Sequence, residues 1–210
     1  MHICFEIRPL TSDLSDRAFD LATETFVGGS SLHRARGITL DEYRAHLAPF
    51  FARMIAEALS VIAIDPDTDV LGGCMIVTDY HTRLDETAAV NPRFAAHGAM
   101  TADLFRQYAR HQPIEPGRII LVDMAAVPPQ NAGAGLYQSM RAAVHDIARA
   151  NGLRRVVGEL SSAATQHVVL NRLGHKKRAE VTFAAFKHDN EFPYRSIQAP
   201  SSYILAEGEL

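Results

Sequence analysis

Cysteine is scarce in this chain, with two among 210 residues. Cys4 and Cys74 both fall in apolar, strand-like segments and make no metal-ligand spacing. A disulfide framework is therefore not expected, and both thiols read as small buried hydrophobes in a reducing compartment. Ten histidines are present, but none form an HxH or HxxxH pair, so no metal site is expected. No apolar run approaches the ~20 residues of a membrane span. The opening stretch MHICFEIRPL carries Glu6 inside a short apolar run. It lacks the basic lead, long apolar core and small-residue cleavage site of a secretory signal. A cytoplasmic protein without membrane attachment is the expectation. Charge of one sign is also lacking: the net value is −3 with histidine neutral, too little to favour nucleic acid. Internal repeats and low-complexity tracts are absent.

What is present suits one globular domain over residues 1–210, since the chain is 47% hydrophobic and 21% charged. Residues 3–8 read as a strand. SDLSDRAFDLATETF places Leu14, Ala18, Leu21, Ala22 and Thr25 on one helical face, with Ser12 or Asp13 positioned to cap it. VGGSSLHRARG reads as a loop. Thr39 and Glu42 have capping-box spacing at the start of a second helix, which Pro49 is expected to kink or break. SVIAID, PDTD and VLGGCMIV predict an antiparallel hairpin. Residues 80–117 read as an inserted segment with one helix around Met100 to Tyr108. RIILVDMAAV is the continuous apolar run of a strand covered on both faces. Next come a helix on Leu136, Met140, Ala143, Val144 and Ile147, closed by Asn151-Gly152, and the strand RRVVGEL. The helix SAATQHVVLNRL and two final strands, AEVTFAAFKH and SYILAEG, complete the order.

The stretch PPQNAGAGLYQSM, Pro128 to Met140, joins the apolar strand to the following helix. Unpaired amides at a helix N-terminus, together with the helix dipole, attract phosphate oxygens, and small residues leave those amides accessible. QNAGAG is therefore a candidate diphosphate cradle. A Walker A loop would end in Gly-Lys-Ser/Thr, but Gly135 is followed by Leu136-Tyr137. A dinucleotide fingerprint would need a third small residue where Gln138 stands.

Gln130-Asn131-Ala132-Gly133-Ala134-Gly135 matches Q/R-x-x-G-x-G/A, and LNRLGH resembles LYxKLGF with Gly174 in the glycine place. With the order of elements around them, these motifs resemble the GCN5-related N-acetyltransferases, most closely the arylalkylamine and dopamine branch. That resemblance implies an α/β fold with a mixed, mostly antiparallel sheet of about seven strands, flanked by helices and splayed between strands four and five. It implies acetyl-CoA as cosubstrate, bound at Gln130, Asn131, Ala132, Gly133, Ala134, Gly135, Leu136 and Tyr137, with the backbone of Ala125, Ala126 and Val127 along the pantetheine. Two departures stand out. Only Pro128-Pro129 separate Val127 from Gln130, so the loop is two residues short or Ala125 takes the valine position. Where the branch commonly carries an acidic DEPL-like stretch, this chain reads GSSL, with Ser30-Ser31 in place of the acid.

Acetyl transfer to an amine needs a base, because an alkylammonium pKa lies near ~10. Asp123, expected on the strand face of Ala125 and Val127, and Glu159, on the strand opposite, are the candidates; either also reads as a satisfied structural carboxylate. Glu24, Ser31 and Tyr80 are candidates for the acceptor side. The phenol that the resemblance implies as general acid would fall at Leu170. His167 and Gln166, earlier in that helix, are candidates near the sulfur or pantetheine, and an unassisted thiolate is a tolerable leaving group at a pKa near ~8.5. His33, Arg34 and Arg36 form a basic cluster, either solvated or facing an anion. FPYRSI shapes either an acceptor pocket or a subunit contact, and a homodimer is compatible with the sequence. The expected function is acetyl transfer to a primary amine of a small molecule in a ternary complex. A non-catalytic acyl-CoA sensor and a protein or peptide acetyltransferase are the alternatives.

Overall fold

Local signals account for most elements. Pro66–Asp69 turns the chain between β2 (Val61–Ile64) and β3 (Leu71–Asp79), which pair antiparallel, as expected of the hairpin. Thr39 and Glu42 close the capping box at the start of α3 (Leu40–Ala56). The computed structural model describes residues 5–85 and 91–210; Cys4, the start of the first expected strand and residues 86–90 of the insertion lie outside them. Seven strands form one sheet in the order β1-β2-β3-β4-β5-β7-β6, where β1 is Glu6–Pro9, β4 Ile119–Ala126, β5 Arg155–Leu160, β6 Lys176–Thr182 and β7 Ser202–Glu209. Only β4 and β5 run parallel among these neighbours.

Each face of the sheet is covered. On one face, α1 (Ser15–Gly29) and α3 pack Ala18, Ala22, Leu47, Phe51 and Met54 over Ile62, Cys74, Ile76 and Met124. On the same face, α5 (Ala95–Ala109) lays Met100, Leu104 and Tyr108 over Ile119, Leu121 and Leu205. On the other face, α6 (Leu136–Ala150) buries Leu136, Met140, Val144 and Ala148 at four-residue spacing against Met75, Val77, Ile120 and Val122. The three larger side chains of that stripe each contribute about 1.5–3 kcal/mol by burial.

Several expectations are corrected. Ser12 and Asp13 do not cap α1; they lie in a 3-10 turn before it. The glycine-serine loop contains a short helix, α2 (Ser31–Arg36), because Ser30 accepts from the His33 amide and Gly37 supplies the left-handed stop at φ 59°. Pro49 does not end α3, which bears buried residues on both sides of it, so packing outweighs one lost hydrogen bond. A further short helix, α4 (Tyr80–Asp85), follows β3 directly. The helix after β5, α7 (Ala163–Gln166), continues as a π turn over His167–Arg172. β6 ends at Thr182, earlier than expected.

One irregularity positions the site. β3 pairs Ile76 with Met124 and then Val77 with Val122, which leaves Asp123 as an unpaired bulge on β4. A bulge bends its strand and increases its twist. Beyond it, β4 no longer pairs with β5: their contacts are Ile119↔Arg155, Ile120↔Val156, Leu121↔Val157 and Val122↔Gly158 only.

Thr39→Ala removes the side chain that anchors α3. It should cost about 1 kcal/mol of stability, read as a lower midpoint in urea unfolding.

Candidate active site

Where β4 and β5 part, a cleft opens with two lobes. The larger, about 220 Å³, includes Val122, Asp123 and Ala125 of β4, Gly158–Leu160 of β5, Tyr137 and Arg141 of α6, and Thr25, Phe26 and Gly29 of α1. The smaller, about 90 Å³, is lined by Phe26, Tyr43, His46, Phe50, Phe94 and His97, with Arg83, Thr101 and Tyr203. Ser30, Asp123, Glu159 and Ser161 border both.

The two predicted carboxylates stand at this junction. Glu159 is half-buried; the Tyr203 hydroxyl donates to it at 2.9 Å and the Thr101 hydroxyl at 3.4 Å. Burial raises its pKa to about 7, an effect opposed by Arg83 and reinforced by Asp123. A carboxylate tuned near neutrality can take a proton and lose it again at physiological pH. Asp123 lies 3.5 Å from the Arg83 guanidinium. Its face differs from the expected one. The bulge resets the alternation, so Asp123 and Met124 line the smaller lobe while Ala125 packs toward α6. Sequence reasoning found no signal for the bulge or for Arg83.

Histidines supply much of the smaller lobe. Burial lowers His33 to about 4 and His97 to about 3, and pulls His46 down as well, so all three are neutral at pH 7. The His46 ring stacks on Phe94 at 4.0 Å between centroids, and His33 lies 4.5 Å from the Tyr43 ring. His33 Nδ1 and His97 Nε2 have no partner among the described residues. Of these residues only His33 stood in a cluster visible in the sequence; His46 and His97 arrive by tertiary packing.

The glycine loop leaves β4 through Pro128 and a 3-10 turn at Pro129–Asn131. That turn consumes three of the amides expected to bind phosphate: Asn131 donates to Pro128, Ala132 to Pro129 and Ala134 to Asn131. The Asn131 side chain donates to the Gly72 carbonyl at 3.1 Å and pins the loop to β3. Open to a ligand are the amides of Gly133 and Gly135 and those of Leu136 and Tyr137 at the start of α6, none with a backbone acceptor among the described residues. Gly133 (φ 81°) has nothing within 4 Å of a would-be Cβ, so the space above it is free. The loop fits a diphosphate, with fewer donors than the motif suggested.

Two more features fit a CoA molecule. Beyond Val122 the β5-facing backbone of β4 has no strand partner, which an amide-bearing pantetheine would supply. Arg141 is buried, yet neither of its Nη atoms has an acceptor among the described residues. Other candidates are placed elsewhere. Exposed Glu24 accepts from Arg44 at 3.2 Å, outside both lobes. Ser30, not Ser31, borders the cleft. Tyr80 is buried among Phe105 and Tyr108. His167 is exposed and bonded to Asn171 at 3.0 Å. Gln166 spends its amide on the carbonyls of Leu160 and Ser202 and so fastens α7 to the sheet. Ala126 faces the α1–α3 core, and Val127 packs toward α6. In FPYRSI, Tyr194 packs on Phe183 and Phe186, away from the cleft.

No family model and no curated protein matches this sequence. Solved structures match in fold. The C-terminal condensation domain of Ebony, in complex with beta-alanyl-dopamine, gives a TM-score of 0.86 at 16% identity, covering 100% of both chains. Arylalkylamine N-acetyltransferase 2 from Aedes aegypti gives 0.79 at 16% identity over 98% of each chain. This is the fold of the GCN5-related N-acetyltransferases. A polyamine N-acetyltransferase of Drosophila melanogaster shares it, with a TM-score of 0.77 at 12% identity, over 99% of this chain and 100% of that one. Tyr137, in the first turn of α6 after the glycine loop, lines the cleft at the parted strands.

Gly133→Glu places a carboxylate against the open amides. Calorimetric titration should show binding of CoA to the native protein and loss of at least about 100-fold in the variant, on the scale of a charge-assisted contact turned into a like-charge one.

Proposed function

We propose that this protein is an acetyl-CoA-dependent N-acetyltransferase that acetylates a primary amine on a small molecule by direct attack in a ternary complex. The observation that carries this reading is Glu159: a half-buried carboxylate with its pKa raised to about 7, set where the two lobes meet at the parted strands. CoA would lie in the larger lobe, its diphosphate on the amides from Gly133 to Tyr137 and its thioester at the junction. When bound, it supplies an acyl group activated as a thioester.

The chain's own groups would do the rest. Glu159 accepts the ammonium proton, directly or through one water, and Tyr203 and Thr101 hold its oxygens in place. Asp123, paired with Arg83 at the junction, offers carboxylate oxygens that can accept a hydrogen bond from the acceptor's ammonium. The backbone around Ala125 offers amides to the thioester oxygen as charge develops there. The rings of Phe26, Tyr43, Phe94 and the neutral His33 and His46 line the smaller lobe, which suits an amine carrying an aromatic body. The unpartnered nitrogens of His33 and His97 suit a hydrogen-bonding substituent on it.

Consumption of acetyl-CoA with a panel of primary amines tests the reading. The acid limb of the kcat/KM profile should have an apparent pKa near about 7, because Glu159 must be ionised to act. Glu159→Gln should lower kcat by about 10²–10⁴-fold. The same variant should melt at a higher temperature than the native protein at about pH 8, where burying the ionised Glu159 costs stability. The sign follows from the raised folded-state pKa: stability is fully present below the ordinary value of 4.5 and is lost as pH rises through about 7. The melting difference should therefore vanish near pH 4.5. Tight CoA binding without turnover on any amine would instead mark a sensor.

A further inference from the structure

Arg141 poses a charge problem that the protein does not solve by itself. It is 1% exposed. Its Nε donates to His145 Nε2 at 3.1 Å, and its two Nη atoms have no partner among the described residues. His145 brings no charge, since burial and Arg141 push it down to about 4, and the ring of His175 beyond it, 6.4 Å away, is neutral for the same reasons. Arg141 also lies in the second turn of α6, near the positive end of that helix's dipole. A buried, unpaired cation is strongly unfavourable and calls for an anion. The cleft that Arg141 lines is where one can arrive.

The chemistry of the cosubstrate limits which anion it is. The diphosphate is taken by the amides from Gly133 to Tyr137, and Arg141 lies one helical turn further in, ~6 Å along the axis from Tyr137. It shares the cleft wall with Val122 and Gly158, the last residues at which β4 and β5 pair. The pantetheine arm reaching that depth is neutral. Only its sulfur becomes anionic, and only when the thioester carbon–sulfur bond breaks. Position 170, where a proton donor to that sulfur is implied, holds Leu170 packed near Tyr137.

We propose that the Arg141 guanidinium receives the departing CoA thiolate, stabilising the leaving group by charge where no proton is delivered to it. This rests on the acetyl-CoA reading above. The amine nitrogen attacks the thioester carbon, the carbon–sulfur bond breaks, and its electron pair leaves on sulfur as thiolate beside Arg141. The amine sheds two protons in all, one from the ammonium before attack and one from the nitrogen as the amide forms; each passes to Glu159 and from there to solvent, so atoms and charges balance.

Binding of CoA and of desulfo-CoA, measured by calorimetry between about pH 6 and pH 9 across the thiol's ordinary pKa of ~8.5, tests this without turnover, alongside the ultraviolet absorbance of bound thiolate. The native protein should prefer CoA over desulfo-CoA by about tenfold or more, with thiolate absorbance appearing at lower pH than for free CoA, as one unit of pKa shift requires. Arg141→Met should bind both ligands equally, lose that absorbance shift and melt no lower than the native protein, because it removes an unpaired buried charge at similar volume. Arg141→Lys should restore part of the preference. Equal affinity of the native protein for the two ligands, or a preference that survives in Arg141→Met, overturns the proposal. Bound CoA that titrates as an ordinary thiol also overturns it and points to a proton donor such as Tyr137. If the native protein binds neither ligand, the acetyl-CoA reading itself has failed.

Discussion

Pairing between β4 and β5 lasts four residues and then stops, and the chemistry of this protein depends on that stop. Parallel strands joined by a helix would ordinarily pair along their shared length. Here the bulge at Asp123 turns β4 away immediately after Val122, and β5 keeps its full antiparallel contact with β7. The sheet stays continuous at its base and open at its top. An open parallel pair in the interior leaves backbone amides and carbonyls without partners, a cost that a peptide-like ligand can offset.

Opening the sheet also sorts charge by face. On the α3–α5 face stand Glu159 and Asp123 with Arg83, among aromatic rings and neutral histidines. On the α6 face stands Arg141 with neutral His145 and His175. Proton removal from an amine and departure of a thiolate need opposite electrostatics. Burial does the tuning on both sides: it raises Glu159 and lowers the imidazoles, and it leaves Arg141 without a counterion of its own.

Local features of the fold were legible in the sequence, and features made by tertiary packing were not. The capping box at Thr39 and Glu42, the Pro66–Asp69 turn and the Gly133–Gly135 loop between an apolar strand and an amphipathic helix each depend on residues within a few positions. The bulge left no such trace, because Asp123 in IILVDMAA looks like any carboxylate in an apolar run; its expected face was wrong for that reason. Ser30 was legible as part of a loop and missed as the cap of a helix. Glu159 was found because it sits on the strand next to the cradle. His46 and His97 come from α3 and α5, whose meeting has no signature in spacing. Arg141 had a weak one: with Tyr137 and His145 it forms a polar stripe at four-residue spacing along the edge of the apolar face of α6.

The central claim is that a ligand fills the gap between the parted strands as a strand would. Amide hydrogen exchange along β4, with and without CoA, measures this directly. Slower exchange should appear among residues 123–127 and at Gly133–Tyr137 on adding CoA, with residues 119–122 unchanged because β5 already protects them. If CoA binds while exchange beyond Val122 is unaltered, the ligand does not occupy the gap, and this account of the site is wrong.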